Sequence, residues 1–155
     1  METLQNVWTV ELVFPEDVLY SPELLWVKEE AGDKLRLGLS DLGVRAVKWL
    51  AYIEMKVSVG AQVKKGDVLG IVETSKSLWE IISPISGIIT NINPQALKGQ
   101  PSFIMADPYG DGWLIDMEKV SETDSELKEL HKGGEAATME WIKETAEEIV
   151  PLMTY

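Results

Sequence analysis

Asp67-Val68-Leu69-Gly70-Ile71-Val72, then Glu73-Thr74-Ser75-Lys76-Ser77, then Leu78-Trp79-Glu80-Ile81-Ile82-Ser83-Pro84: this stretch decides how the chain folds. The two outer segments are apolar runs of strand length, and the five residues between them are polar and small. Such a layout predicts a tight hairpin with Lys76 at its tip, its primary amine projecting into water. A hairpin tip is held by its ladder and left uncrowded by its neighbours, and Ser75 and Ser77 are small enough to leave the amine accessible. Few positions suit a lysine better as the target of a modifying enzyme. An exposed lysine more often serves only as a solubilising charge, and that reading competes with this one. Its amine is protonated near neutral pH, so a modifying enzyme must bring an activated acyl donor and take up a proton.

Outward from that hairpin, residues 49–92 read as β structure throughout. Leu50-Ala51-Tyr52-Ile53-Glu54-Met55 is a candidate strand. Gly60 and Gly66 punctuate a short extended piece, Pro84-Ile85-Ser86-Gly87 marks a turn, and Ile88-Ile89-Thr90-Asn91-Ile92 forms another strand before Asn93-Pro94 ends the run. Residues 25–30 and 35–39 predict a second hairpin around Ala31-Gly32-Asp33-Lys34, residues 7–14 a further strand, and residues 113–117 the last one. Short strands about 8–12 residues apart, separated by turn formers, indicate a sandwich or barrel. Ser40-Asp41 offers an N-cap for a short helix near residues 40–47. Residues 95–103 read as irregular. From 121 onward the chain is strongly acidic, with nine acidic and three basic residues giving half of the formal net charge of −12. Helices are predicted over 121–132 and after Gly133-Gly134. The second carries Met139, Ile142, Ala146, Ile149 and Val150 as one apolar stripe that would pack on the β core, with Pro151 just past its end.

Composition narrows the function classes. The expectation is a single domain over 1–155, long enough for a proper core, with a β core at 13–120 and an acidic helical segment at 121–155. Hydrophobic and charged fractions of 45% and 26% suit a soluble globular protein. No run approaches the ~18–20 apolar residues of a membrane span, and Met1-Glu2-Thr3-Leu4-Gln5 lacks the features of a secretory signal, so a cytoplasmic location is expected. The acidity argues against nucleic acid and against an anionic membrane surface, and it is compatible with basic patches on partner proteins. With no cysteine there is neither disulfide nor thiol nucleophile, and one histidine, His131, excludes a multi-His site; it is expected to be a solvated surface residue. Any thiol chemistry must come from an attached group. An enzyme reading would rest on a carboxylate pair such as Glu54 and Glu73, which nothing in their spacing separates from solvated strand residues.

Gly60-Ala61-Gln62-Val63-Lys64-Lys65-Gly66-Asp67, Val72-Glu73-Thr74-Ser75-Lys76-Ser77 and Ser83-Pro84-Ile85-Ser86-Gly87 together resemble the biotinyl/lipoyl domain pattern. Biotin carriers have Met on both sides of the lysine; Ser75 and Ser77 favour lipoyl. Phe14-Pro15-Glu16-Asp17-Val18-Leu19-Tyr20-Ser21 leading to Trp26-Val27, and Asp107-Pro108-Tyr109-Gly110-Asp111-Gly112-Trp113-Leu114, resemble the glycine cleavage system H protein family from about residue 13 to about 150. Tyr109 and Trp113 read equally well as aromatic core under a tight turn. The resemblance implies a mainly β fold, a flattened β-barrel or sandwich of the lipoyl-domain hybrid motif. It implies a covalent lipoyl group on Lys76, with Glu73, Ser75 and Ser77 flanking it for recognition, and a non-catalytic carrier subunit. The arm would be installed by a lipoate ligase or lipoyl transferase. It would take an aminomethyl group and reducing equivalents between glycine decarboxylase, an aminomethyltransferase and dihydrolipoamide dehydrogenase, with no nucleic acid or membrane involved. The cofactor then supplies the sulfur chemistry and the protein positions it.

This chain departs from the family pattern in places. Leu24-Leu25 stands where His-Glu usually precedes Trp-Val, the lysine segment reads Glu-Thr-Ser-Lys-Ser where Glu-Ser-x-Lys-Ala is usual, and residues 53–58 lack the usual proline. Two other readings therefore stand beside glycine cleavage. One is an H-like lipoate-binding protein serving a sulfur-oxidising, heterodisulfide-reductase-like system. The other is an unmodified H-like binding or scaffold protein.

Overall fold

The computed structural model describes residues 2–5, 11–46, 50–74, 77–99 and 101–153. Strands β3 (Leu19–Tyr20), β4 (Leu25–Glu29), β5 (Lys34–Leu39), β7 (Gln62–Val63), β10 (Gly87–Ile92), β11 (Ile115–Glu118) and β12 (His131–Lys132) make one seven-stranded sheet, ordered β12-β3-β4-β5-β11-β10-β7. A three-stranded sheet runs β6 (Leu50–Met55), β8 (Val68–Thr74), β9 (Leu78–Ile82), and β1 (Glu2–Gln5) pairs with β2 (Glu11–Phe14). Every paired neighbour is antiparallel. The two larger sheets do not close into a barrel; of the two forms expected, the chain adopts the sandwich.

Alternation explains the stacking. Val27, Leu35 and Leu37 of the large sheet and Ile53, Val72 and Ile81 of the small one are buried in a shared cluster, while Lys34, Glu73 and Glu80 face solvent. Each such fully buried aliphatic side chain contributes roughly 1.5–3 kcal/mol. A second cluster joins Phe14, Tyr20, Trp26 and Leu42 to Ile142 and Ala146 of the C-terminal helix α5 (Ala136–Met153). The described part of the apolar stripe, Ile142 and Ala146 with Met139 partly buried beside them, thus packs on the β core as expected, while the side chains of Ile149 and Val150 lie outside the described residues. Helix α5 continues through Pro151. A proline removes one N–H from a last turn without forcing the helix to stop there.

Trp26 sits where the second cluster meets the large sheet. Its register partner is Gly38, and a Cβ there would lie 2.7 Å from the indole Nε1; only glycine lets the ring lie flat on the neighbouring strand. The short helix α1 (Asp41–Ala46) starts where expected: Ser40 Oγ accepts from Gly43 N (3.4 Å) and donates to Leu24 O (3.0 Å). Asp41 Oδ2 accepts from Val13 N (2.7 Å), and the Tyr109 hydroxyl accepts from Asp41 N (2.9 Å) and donates to Val13 O (2.7 Å). Burial raises the Tyr109 phenol well above its ordinary pKa, which keeps it a neutral donor.

Three local expectations are corrected. Residues 95–103 are not wholly irregular, since α2 (Pro94–Leu97) and α3 (Ser102–Ala106) form there. Asn93 caps α2 through Gln95 N, and Pro94 opens it. Residues 121–132 are not one helix: α4 spans only Thr123–Leu127, and His131–Lys132 joins the large sheet against β3. Glu126 anchors that short turn by accepting from Ser86 N (2.6 Å) and Ser86 Oγ (2.9 Å). His131 itself is half-buried and stacked on Trp141 of α5, with ring centroids 3.9 Å apart, so it is not a solvated surface residue.

Burial lowers the His131 pKa below its ordinary value. The folded state therefore prefers the neutral ring. The stabilisation is fully present above the unfolded pKa of about 6.5 and is lost as pH falls through that value towards the lower folded one. Urea midpoints measured at pH 7.5 and 5.5 are expected to fall further on acidification in wild type than in His131→Phe. Equal falls would contradict the assignment.

Candidate functional site

The hairpin expected around Lys76 is formed by β8 and β9, with register pairs Ile71↔Glu80, Val72↔Trp79 and Glu73↔Leu78. At its end Thr74 N donates to Ser77 O (2.9 Å) and Ser77 N donates to Thr74 Oγ1 (3.0 Å). Only positions 75 and 76 separate the residues so joined. Two-residue hairpin connections favour Gly or Asn, and Ser75-Lys76 supplies neither. The Thr74 hydroxyl makes up for this by binding the returning strand. Trp79 adds a further tie, its indole Nε1–H donating to Ser77 Oγ (2.9 Å), and its ring packs against both apolar clusters. The base of the hairpin is thus fixed to the core through a half-buried tryptophan.

Ser75 and Lys76 lie outside the described residues. Glu73 and Ser77, the other residues expected to flank the site, are both exposed. Ser77 is more than a small neighbour, because its hydroxyl and backbone take part in the closure. Glu54 and Glu73 do not form a paired site: Glu54 contacts Lys56 Nζ at 3.2 Å, and its register partner is Ile71 while that of Glu73 is Tyr52. Thr74 was not singled out by sequence reasoning. A hydroxyl residue three positions before Ser77, across a short turn, is the signal that could have found it.

Beside the hairpin a crevice is lined by Glu23, Leu24, Leu25, Val72, Trp79 and Glu80, among others, with a volume of about 20 Å³. That is room for about one water molecule and too little for a cofactor arm. Leu24 in its wall has φ +71°, an uncommon conformation for a branched residue, and its carbonyl is held by Ser40 N at 3.0 Å. Glu23 Oε1 is buried there without a hydrogen-bond partner among the described residues. A much larger open groove, about 720 Å³, lies over β5, β10 and β11, lined by Lys34, Arg36, Thr90, Asn91 and Asp116 among others and by no residue of the hairpin. Its Arg36 is committed to Asp116 by two hydrogen bonds of 2.8 and 3.1 Å and covers the Trp113 ring at 4.2 Å. Tyr109 and Trp113 are partly buried against the second cluster, as expected of aromatic core. Among the described residues no group of His, Asp and Glu could hold a metal ion, and no helix is long and apolar enough to cross a membrane.

Two stacked antiparallel sheets, the smaller ending in a side-chain-clamped hairpin, frame the site. The family profile for "Glycine cleavage H-protein" matches residues 18–148. The chain is 36% identical over 104 residues to the glycine cleavage system H protein of Mycobacterium avium (strain 104), covering 67% of this chain and 77% of that one. It is 34% identical over 104 residues to that of Mycobacterium tuberculosis (strain ATCC 25618 / H37Rv), covering 67% and 76%. The crystal structure of a glycine cleavage system H protein from Mycobacterium marinum superposes with a TM-score of 0.67 at 29% identity, over 82% of this chain and 98% of that one. The chain belongs to the glycine cleavage H-protein family.

Proposed function

We propose that this chain is a lipoyl carrier of glycine cleavage, with the lipoyl group in amide linkage to Lys76. The observation that carries the reading is the closed β8–β9 hairpin in a member of this family. Thr74 and Ser77, the residues that flank Ser75-Lys76 in sequence, are tied to each other. The residues present suit the group: Glu73 and Ser77 are exposed on either side of the attachment position, and no bulky side chain adjoins it in sequence.

In this role the bound lipoyl group supplies the dithiolane sulfur chemistry that a chain without cysteine lacks. The protein's own residues hold and orient it. The ladder and the Trp79–Ser77 bond tie the described end of the hairpin, Thr74 and Ser77, to the core. Glu73 and Ser77 mark the lysine for the lipoate ligase or lipoyl transferase that loads it. The loaded protein shuttles an aminomethyl group from glycine decarboxylase to an aminomethyltransferase, and dihydrolipoamide dehydrogenase reoxidises the arm. The chain is a non-catalytic subunit throughout, acting in the cytoplasm. It works as one domain in which residues 13–120 carry the arm and residues 121–155 brace it.

Reconstitution tests this directly. Lipoylated protein mixed with the three enzymes, glycine, tetrahydrofolate and a nicotinamide electron acceptor (NAD+) to reoxidise the arm is expected to release carbon dioxide at a rate that saturates with carrier concentration. No release above the carrier-free background would reject glycine cleavage and favour the sulfur-oxidising system.

A further inference from the structure

The open groove over β5, β10 and β11 holds a fixed cation that a solvated sheet face does not need. Leu35 and Leu37 of β5 and Ile115 and Met117 of β11 are buried, so Lys34, Arg36 and Asp116 face outward. Register sets Arg36 opposite Asp116 and Asp116 opposite Asn91, a row across three strands. Thr90 falls at the β-bulge between Ile89 and Asn91 and has no partner in β11; bulges re-aim side chains beside functional sites. The Asn91 Oδ1 accepts from Ile92 N (3.0 Å), which leaves its amide N–H groups to donate. On the other side Glu30 N donates to Lys34 O (2.8 Å), closing the β4–β5 turn that walls the groove. Arg36 uses one edge on Asp116, through Nε and Nη2, and its plane is stacked on Trp113. Its Nη1 group has no partner among the described residues. Lys34 and Glu30 enter no ion pair among those residues either.

We propose that this groove binds a free α-amino acid with a polar side chain. The ligand carboxylate takes the second edge of the Arg36 guanidinium and Lys34 Nζ. The ligand ammonium takes the Glu30 carboxylate, and the ligand side chain meets Thr90 and the Asn91 amide. The charge pattern selects this occupant. The lining balances Lys34 and Arg36 against Glu30 and Asp116, and Glu30 is close enough to act electrostatically on Arg36. A bare anion is repelled by a chain of net charge −12, and a bare cation meets Lys34 and the guanidinium. A zwitterion carries no net charge and finds a partner for each end. A guanidinium already held by a carboxylate and an aromatic ring accepts a second carboxylate with little further ordering. The groove volume, about 720 Å³, lies within the range of small-molecule sites. No residue of the β8–β9 hairpin lines the groove, so the inference stands apart from Lys76 and from the lipoyl reading.

The test is a backbone-amide NMR titration of the isotope-labelled full chain. The probes are L-glutamine, N-acetyl-L-glutamine, which lacks the ammonium, and L-glutaminamide, which lacks the carboxylate. L-Glutamine is expected to saturate with a Kd on the order of 1 mM, usual for so small a ligand in an open site. Its binding should move the amides of Lys34, Arg36, Thr90, Asn91 and Asp116. Each derivative should bind at least about tenfold more weakly, because one charge-assisted contact is gone. Glu30→Gln and Lys34→Gln change exposed side chains and should each weaken L-glutamine by about fivefold, with the rest of the spectrum in place. No saturable shift with L-glutamine up to about 10 mM overturns the proposal, since a site of the expected strength would then be almost full. Equal binding of either derivative overturns it too, as does unchanged affinity in both variants. Saturable shifts confined to other strands place the ligand elsewhere and reject this groove.

Discussion

Replacing Trp26 with Ala is expected to destabilise the fold by about 3–5 kcal/mol. The indole is 1% exposed; it lies over Gly38 on the adjacent strand, packs at 6.0 Å from the Tyr109 ring, and donates from Nε1 to Pro108 O at 2.9 Å. Truncation would empty the volume of a whole indole where β4, β5 and residues 107–113 meet, and it would leave the Pro108 carbonyl without its donor. Against a typical total of 5–15 kcal/mol, that is a large share, and for a chain of this size it corresponds to a melting temperature lower by about 6–20 °C. Trp26→Phe keeps most of the apolar contact and loses the hydrogen bond, so it should cost clearly less. The effect reaches the hairpin indirectly. Leu25 precedes Trp26 on the same strand and lines the crevice against Val72 and Trp79. A loss below about 1 kcal/mol for Trp26→Ala would show that the second cluster does not bear on stability as described.

Lys76→Arg is expected to abolish carrier function while leaving the fold intact. Arginine keeps the positive charge, but its guanidinium stays protonated above pH 12 and offers no free amine to an acyl donor. The variant should therefore take up no lipoyl mass, and glycine decarboxylation in the reconstituted system should drop to the carrier-free background. The unfolding free energy from urea titration should stay within about 0.5 kcal/mol of wild type, the usual range for a surface change. Full glycine turnover with Lys76→Arg would remove Lys76 from the mechanism outright.

The large features of this fold are legible in the chain because a half-buried sheet writes its two faces as alternating residues. Residues 35–39 show that alternation and become β5, while residues 50–55 and the apolar runs flanking Lys76, of strand length and bounded by turn formers, become β6, β8 and β9. Helix α1 is announced by Ser40, whose hydroxyl does cap it. What escapes the sequence is set by distant partners. His131–Lys132 is polar and only two residues long, and it becomes a strand because β3 offers an unpaired edge. Glu126 looks like one more acid in an acidic helix until Ser86, forty residues earlier, claims both its oxygens. The crevice draws on residues 23–25, Gly43 and the β8–β9 hairpin, which no local pattern links. Asn93-Pro94 carried a readable signal, a capping side chain followed by a helix-opening proline, and it was masked by its equal fitness to end a strand.

At the candidate site the legible part was the hairpin and its exposed flanks. The clamp by Thr74 and the Trp79–Ser77 bond needed the register. A one-residue slip would have sent Glu73 into the core and Val72 to the surface, and sequence alone does not choose between them at a two-residue turn.

The most direct test is mass spectrometry of the proteolytic peptide containing Lys76, taken from protein isolated from its native source. A lipoyl-sized mass increment that fragmentation places on the Lys76 side chain is the predicted result. A Lys76 found unmodified in every preparation, or the increment on another lysine, would contradict the account.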